Sequence, residues 1–478
     1  MACHRAGHFF WRWSLTQATS ARKASAMREK DFDTLIIGAG ITGLAAGYYA
    51  QKSGHVKVIE AAPRAGGKIR SEYVDVGLEN PFLLEWGADS MLALKPEGSQ
   101  LAGDLGIASE LVPTRPARHI YMLRHGRLLA MPEGLQLVIP KRLWPFVKSP
   151  LFSWPGKLRM GLDLVLPKRS ARGDESVASF MCRRLGQEAL DLLAEPILSG
   201  IFSADPERQS LLATFPQLMD LERKHRSLIL GALRTPPPPG PRPPSMFLSF
   251  RRGMQTLTDA LASSLGENLL LNRAVKSIQR DSHGFIVGLG DSALTARRII
   301  LTASAKQSAS LLTTVAPKAA SLLAQMRYTS SGCAFLAYPK VNVKHSLEGY
   351  GILIPKVEKR MINAVTWVSS KIEGRAPASH ALFRVFFGGE RCPEMMERSD
   401  EEIVAIAQRE VAELHGITGE PTLTRVFRSQ QGNPQYDVGH LDRVKQIEGD
   451  LPPGLVVTGC GMRGVGIPDC IRQAKASI

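Results

Sequence analysis

The stretch Phe32-Asp33-Thr34-Leu35-Ile36-Ile37-Gly38-Ala39-Gly40-Ile41-Thr42-Gly43-Leu44 decides the fold. Its short apolar run reads as a strand buried on both faces. Gly38, Gly40 and Gly43 follow at G-x-G-x-x-G spacing, and Leu44-Ala45-Ala46-Gly47-Tyr48-Tyr49-Ala50 continues as a small-residue helix. Gly38 permits the tight turn, Gly40 lets a pyrophosphate approach the backbone, and Gly43 lets helix and strand pack closely. The helix start, with Ile41 and Thr42, offers free N–H groups and a partial positive charge to phosphate. A second strand, His55-Val56-Lys57-Val58-Ile59, ends on Glu60, where a ribose-binding carboxylate belongs. Its charge would repel a 2′-phosphate. An ordinary α/β unit with a glycine-rich turn is the alternative, and strand, turn, helix, strand and acid in register argue against it.

The 478 residues suit two or three domains, and 44% hydrophobic content provides ample core. A net charge of +16 calls for an anionic partner. No basic repeat with interleaved aromatics is present, so an anionic membrane surface or an acidic substrate fits better than nucleic acid. The six cysteines (Cys3, Cys182, Cys333, Cys392, Cys460, Cys470) form no C-x-x-C pair, which points to reduced thiols and to no metal site. No apolar run is long enough to span a bilayer, so any membrane contact would be peripheral.

Residues 1–30 are rich in Arg, Ser and Thr, with no acid before Glu29. They read as a transit peptide, as a basic tail, or as sequence preceding a true start at Met27. Leu135 to Lys148, continuing through Trp154, Lys157 and Arg159, is basic, aromatic and apolar together. It reads as an interfacial amphipathic segment, with inward-packed Trp and Phe under a basic rim as the alternative. Pro236 to Pro244 reads as a polyproline loop, and Ser310 to about Thr424 alternates as an antiparallel sheet.

Directly after Glu60, Ala61-Ala62-Pro63-Arg64-Ala65-Gly66-Gly67-Lys68 resembles the second phosphate loop, E-x-x-x-R-x-G-G, of the FAD-dependent amine oxidase and desaturase superfamily. The resemblance implies FAD, held by Ala61, Arg64, Gly66, Gly67 and Lys68, with Arg64 and the two glycines on the flavin side of the pyrophosphate. Glu85-Trp86-Gly87-Ala88-Asp89-Ser90 is similar to the family segment that passes the flavin, which adds Gly87 and Ala88. Glu195-Pro196 through Asp205-Pro206, Leu347 to Pro355, and Ser369-Ser370 through Arg375-Ala376-Pro377 resemble the protoporphyrinogen oxidase family. Phe250-Arg251-Arg252-Gly253-Met254 resembles its F-x-G-G-M turn, with Arg252 replacing a glycine. The segment Leu455 to Ile471 resembles the C-terminal signature, strand into glycine turn into helix. By that likeness Val275 reads the adenine edge, Thr302 borders the cofactor, and Arg463, Gly464, Val465, Gly466 and Ile467 meet the flavin. The Val465 N–H would face the pyrimidine. The chain stops soon after Ile471, so a short last helix is expected.

The resemblance implies an α/β (α+β) fold: a Rossmann-type FAD-binding domain, an antiparallel-sheet substrate domain and a helical membrane-binding domain. Residues 31–92, 247–308 and 425–478 are expected in the first, 93–200 in the helical domain, and 201–246 with 309–424 in the substrate domain. The implied reaction is FAD-dependent oxidation of protoporphyrinogen IX to protoporphyrin IX by O2, releasing H2O2. Coproporphyrinogen III is the alternative substrate, and a non-catalytic flavin- or porphyrin-binding scaffold is the alternative from another class. Leu353 and Ile372 are expected as pocket walls, Lys95 as the cation for the propionates, and Arg375 as a second candidate. His119 and His440 are expected to be structural, and no acid–base residue is assigned. The implied partners are the porphyrinogen, O2, a membrane surface, a ferrochelatase and a second copy of the chain. The expected location is the cytoplasmic face of a bacterial membrane, with a mitochondrial or plastid membrane as the alternative.

Overall fold

A computed structural model describes residues 32–116, 119–136, 138–171, 173–236 and 245–478. The basic extension, Leu137 and most of the proline run lie outside the described residues.

The strand Phe32–Ile37 is central in a seven-stranded sheet. It pairs in parallel with Val56–Ile59 on one side and Ala293–Leu301 on the other. Leu269–Leu270 extends the parallel set beyond Val56–Ile59, and Leu455–Val457 pairs in parallel with the end of Ala293–Leu301. Side chains alternate between faces with period two, which explains the continuous apolar run. Leu35 and Ile37 pack with Ile299, Leu301 and the helices Ala305–Leu312, Pro317–Ala324 and His440–Asp450. Ile36 packs with Val58, Ile300 and the helices Ile41–Ala50, Gln255–Leu265 and Ile467–Ala476.

A second seven-stranded sheet runs in the order Leu423–Pro434, Tyr328–Pro339, His380–Gly388, Ala364–Trp367, Gly351–Leu353, Tyr121–Arg124, Arg127–Ala130. All its pairs are antiparallel except Gly351–Leu353 with Tyr121–Arg124. The helix Asp400–His415 covers one face through Ile403, Ala407 and Val411. It opens with a Ser399–Glu402 capping box and ends on left-handed Gly416, which together fix both ends. Val74, Phe82 and Leu84 of the hairpin Ser71–Val74/Phe82–Glu85 pack on the other face.

A helical lobe forms the third unit, built on Phe146, Phe152, Met160, Phe180, Leu193, Leu198, Leu211 and Leu228. The three units correct four expected boundaries. Residues 211–234 belong to this lobe, because the helices Leu211–Thr214, Pro216–His225 and Leu228–Arg234 bury their apolar faces in its core. The hairpin Tyr121–Arg124/Arg127–Ala130 leaves the helical unit to extend the substrate sheet, where Leu423–Pro434 also pairs. The helices Ala305–Leu312 and Pro317–Ala324 stand where the alternating sheet was expected to begin, and they pack on the FAD-type sheet.

A fully buried ion pair ties the lobe together. Arg184 Nε donates to Asp163 Oδ1 at 2.7 Å, while Asp163 Oδ2 accepts from Ser227 Oγ at 2.6 Å and Ile229 N–H at 3.0 Å. Asp163→Ala would leave the buried Arg184 guanidinium with only the more distant Glu222 carboxylate, 3.6 Å away, as counter-charge. A loss of about 3–5 kcal/mol is expected, read as an earlier urea unfolding transition in tryptophan fluorescence.

Candidate active site

The glycine turn is set by close approach. A Cβ on Gly43 would lie 1.8 Å from Gly38 O, and Gly38 itself has φ +102°. Thr302 Oγ1 donates to Ile37 O and Gly38 O at 3.0 Å each, which fastens the turn to the neighbouring strand. Gly40 differs, because a Cβ there would meet no atom within 4 Å. The turn is therefore packed tightly behind and open in front.

Glu60 closes one side. Its Oε2 accepts the Ala39 N–H at 2.7 Å and its Oε1 the Ala62 N–H at 2.9 Å. Its backbone O accepts the Arg273 N–H at 2.9 Å, which puts the Val275 segment beside it. The second loop lies against the first: Gly66 N–H donates to Ala39 O at 2.8 Å, and Gly67 takes φ +56°. Arg64 donates to Ala65 O at 2.8 Å, Ile69 O at 3.1 Å and Gly67 O at 2.5 Å. These donors brace the loop that presents Gly66 and Gly67. Lys68 Nζ reaches across to Gly432 O and lies 3.7 Å from Cys460 Sγ. Gly87 sits over Lys68 O, 2.3 Å from where its Cβ would be, and its own carbonyl accepts from buried Arg384 at 2.8 Å. Ala88 follows it into the same segment.

The C-terminal segment completes the site. Gly464 has φ +98°, and the helix Ile467–Ala476 starts at Gly466 without a side-chain cap, as Ile41–Ala50 does at Gly40. Gly459 faces Thr42, 3.3 Å from a notional Cβ to Thr42 Oγ1, so the two helix starts share one locale. Two uncapped helix N-termini beside an open glycine turn fit a dinucleotide carrying phosphates and an electron-accepting ring. Arg463 pairs outward with Glu448, so its backbone, not its charge, faces the turn.

Sequence reasoning missed Tyr436. Its buried hydroxyl donates to Cys460 O at 2.6 Å and accepts from Gly464 N–H at 2.8 Å, tying both limbs of the C-terminal turn. Burial pushes that phenol well above 10. His440 stacks on Tyr436 at 4.1 Å and its Nε2–H donates to Met462 O at 2.8 Å. Burial holds its imidazole below 6.5, as a structural neutral histidine requires. The Pro434-Gln435-Tyr436-Asp437 stretch was visible in the sequence, but nothing local there reports a contact with residues 460 and 464.

The expected pocket residues separate. Leu353 is half-buried where the substrate sheet meets the lobe, its Cδ2 3.8 Å from a notional Cβ on exposed Gly200. Lys356 N–H donates to Glu195 Oε2 at 2.9 Å, and Arg391 binds the carbonyls of Ile354 and Pro355, which fixes the loop after Leu353. Ile372 has no exposed surface, so it is a core residue and not a wall. It follows the one-turn helix Val368–Lys371, and its N–H donates back to Val368 O, which turns it inward. Arg375 is equally buried, donating to Ser249 Oγ and Phe250 O at 2.8 Å, and offers no charge to a ligand. Lys95 donates to Asp469 Oδ2 at 2.6 Å, so its charge meets the C-terminal helix. No group of potential metal ligands occurs among the described residues.

Gly40→Ala tests the open front of the turn. The added methyl meets no protein atom, so the unfolding temperature of the apoprotein should stay within about 2 °C of wild type. Flavin content after purification should fall sharply, as measured by absorbance against protein.

Comparison with known proteins places this geometry. A model of flavin containing amine oxidoreductases matches residues 41–477. A coproporphyrinogen III oxidase of Bacillus subtilis (strain 168) is 35% identical, covering 93% of this chain and 96% of that protein. The chloroplastic protoporphyrinogen oxidase of Nicotiana tabacum is 28% identical, covering 93% and 84%. A crystal structure from Exiguobacterium sp. 255-15, provisionally named protoporphyrinogen oxidase, superposes with a TM-score of 0.81 at 28% identity, covering 93% and 97%. The cofactor that these open turns fit is FAD, and the chain belongs to the flavin-containing amine oxidoreductase family, in the group of its porphyrinogen oxidases.

Proposed function

We propose that this chain oxidises coproporphyrinogen III to coproporphyrin III with FAD and O2, releasing H2O2. The observation that carries the choice of substrate is the higher identity to the coproporphyrinogen III oxidase of Bacillus than to the protoporphyrinogen oxidase of tobacco. The positive chain suits four carboxylates better than two. Protoporphyrinogen IX, the first expectation from the sequence, is the second reading, favoured by the plant relatives. Bound flavin supplies hydride acceptance and reduction of oxygen.

The chain's own part is position. Gly38, Gly40 and Gly43 would take the pyrophosphate, Glu60 the ribose, the Val275 backbone the adenine, and the Val465 turn the flavin pyrimidine. Gly200 and Leu353 offer an apolar wall at the junction of sheet and lobe, suited to a flat macrocycle. No histidine is required as base, and His440 is engaged with Met462. A non-catalytic flavin-binding scaffold would need the same turns for the cofactor, so turnover is what separates it from an oxidase.

We also infer that the protein works on an anionic lipid surface. No described helix is long and apolar enough to cross a membrane. Trp154, Leu158, Leu162 and Val165 follow one another at helical spacing along Trp154–Gly161 and the turn after it, exposed by 65%, 72%, 48% and 67%. Such a stripe normally faces a core. Here Phe146, Leu151, Phe152 and Met160 fill the inner side, and the stripe faces outward. Lys148 lies 4.8 Å over exposed Trp144 and Lys157 lies 4.6 Å over Trp154. Residues 134–162 carry Lys141, Arg142, Lys148, Lys157 and Arg159 and no acid. Apolar residues among cations describe an interfacial face.

Purified holoprotein should turn over coproporphyrinogen III in air about tenfold faster in kcat/KM than protoporphyrinogen IX, with porphyrin fluorescence and peroxide rising together. The reverse preference would restore the first expectation, and bound flavin with no turnover of either would favour the scaffold. Leu158→Glu with Val165→Glu should abolish cosedimentation with phosphatidylglycerol vesicles while flavin content and turnover of soluble substrate persist.

A further inference from the structure

Asp469 is the third residue of the helix Ile467–Ala476, and its side chain lies against the turn before that helix. A Cβ on Gly464 would come 2.7 Å from Asp469 Cβ, and one on Gly466 would come 3.0 Å from Asp469 Oδ2. A nearly buried carboxylate therefore stands at the backbone expected to face the flavin pyrimidine, which gains negative charge on reduction. Alone it would oppose that gain and cancel part of the helix-terminal field.

Three ionic side chains surround it. Lys95 Nζ donates to Oδ2 at 2.6 Å, Arg472 Nη2 donates to Oδ1 at 2.6 Å, and Glu97 lies 4.0 Å from Arg472. Arg472 thus divides its charge between two acids, which leaves Lys95 as the cation belonging to Asp469. Lys95 is 41% exposed and Asp469 10%, and pairs with so exposed a partner add little to stability. Stability alone does not account for placing a carboxylate there. Lys95 is held in reach from behind: its N–H donates to Leu92 O at 3.3 Å, and the Ala93 N–H donates to Met246 O at 3.0 Å.

We propose that Lys95 is a positioning residue for the flavin, neutralising Asp469 so that the C-terminal turn presents a net positive field to the reduced ring. The inference rests on the flavin reading of that turn and not on which porphyrinogen is oxidised. Its sign is definite. Removing Lys95 leaves a net negative charge beside the ring and disfavours reduction, whereas removing the Asp469 charge does the opposite.

The test uses FAD-loaded wild type, Lys95→Met, Asp469→Asn and the double variant, with midpoint potentials read by equilibration with a reference dye. Lys95→Met should shift the two-electron equilibrium about tenfold toward oxidised flavin, a fall of about 30 mV. Asp469→Asn should raise the potential, and the double variant should return close to wild type. Opposite signs with restoration would not come from a packing defect. Unchanged potentials, or both single variants moving the same way, would overturn the proposal. So would an unchanged potential in Lys95→Met with a raised KM for porphyrinogen, since the lysine would then serve the substrate. Failure of the wild type to take up FAD would instead refute the flavin reading itself.

Discussion

Everything in this molecule depends on how closely the helix Ile41–Ala50 packs on the strand Phe32–Ile37. The Gly43 Cα hydrogens meet the Gly38 carbonyl where no side chain fits, and Gly47 likewise lets the helix sit on Val58, 2.6 Å from its notional Cβ. This contact turns the chain sharply at Gly38 and aims a helix N-terminus at the space in front of Gly40. Thr302 then anchors the turn to Ala293–Leu301, and that strand carries Leu455–Val457 alongside. The C-terminal signature reaches the first glycine turn by strand pairing, which brings together two helix N-termini more than four hundred residues apart in sequence.

The other two units are built around that locale. Tyr436 follows the long strand Leu423–Pro434 of the substrate sheet and at once ties Cys460 to Gly464, while Lys68 reaches Gly432 O of the same strand, so side chains fix the sheet to the C-terminal turn and the second loop. The lobe meets the same sheet at Gly200 and Leu353. On the proposed reading, a substrate wall made from these two units and a cofactor site made from a third could be adjusted independently, which would let one flavin fold host different substrates.

What was legible in the sequence was whatever depends on local spacing. The glycine turn, Glu60 and the second loop are each determined within about thirty residues, and the strand period that buries Phe32–Ile37 on both faces is visible in composition. Domain boundaries were legible only coarsely. The hairpin at Tyr121–Ala130 and the helices of residues 211–234 look the same in sequence whichever unit receives them, because amphipathic pattern reports that a face is buried but not against what. The partners of the expected pocket cations were hidden for a related reason. Charge reports the need for a partner, and Arg375 and Lys95 found theirs in Phe250 O and Asp469, far along the chain.

That outcome bears on how a chain of net charge +16 handles an anionic substrate. Much of its positive charge is committed internally: Arg64 to its loop, Arg184 to Asp163, Arg375 and Arg391 to backbone carbonyls, Lys371 to Asp89. Guanidinium groups suit this work because a rigid fork satisfies several carbonyls at once. Such groups cannot leave their partners to meet a ligand without exposing buried acceptors. The exposed lysines and arginines therefore supply the long-range field, and on the proposed reading shape and apolar contact near Leu353 would supply the fit. Long-range charge raises the rate of encounter more than it raises affinity. On that reading a polyanion would be attracted to the surface by charge and distinguished at the wall by shape, so the number of carboxylates and the shape of the ring would act at separate steps of recognition.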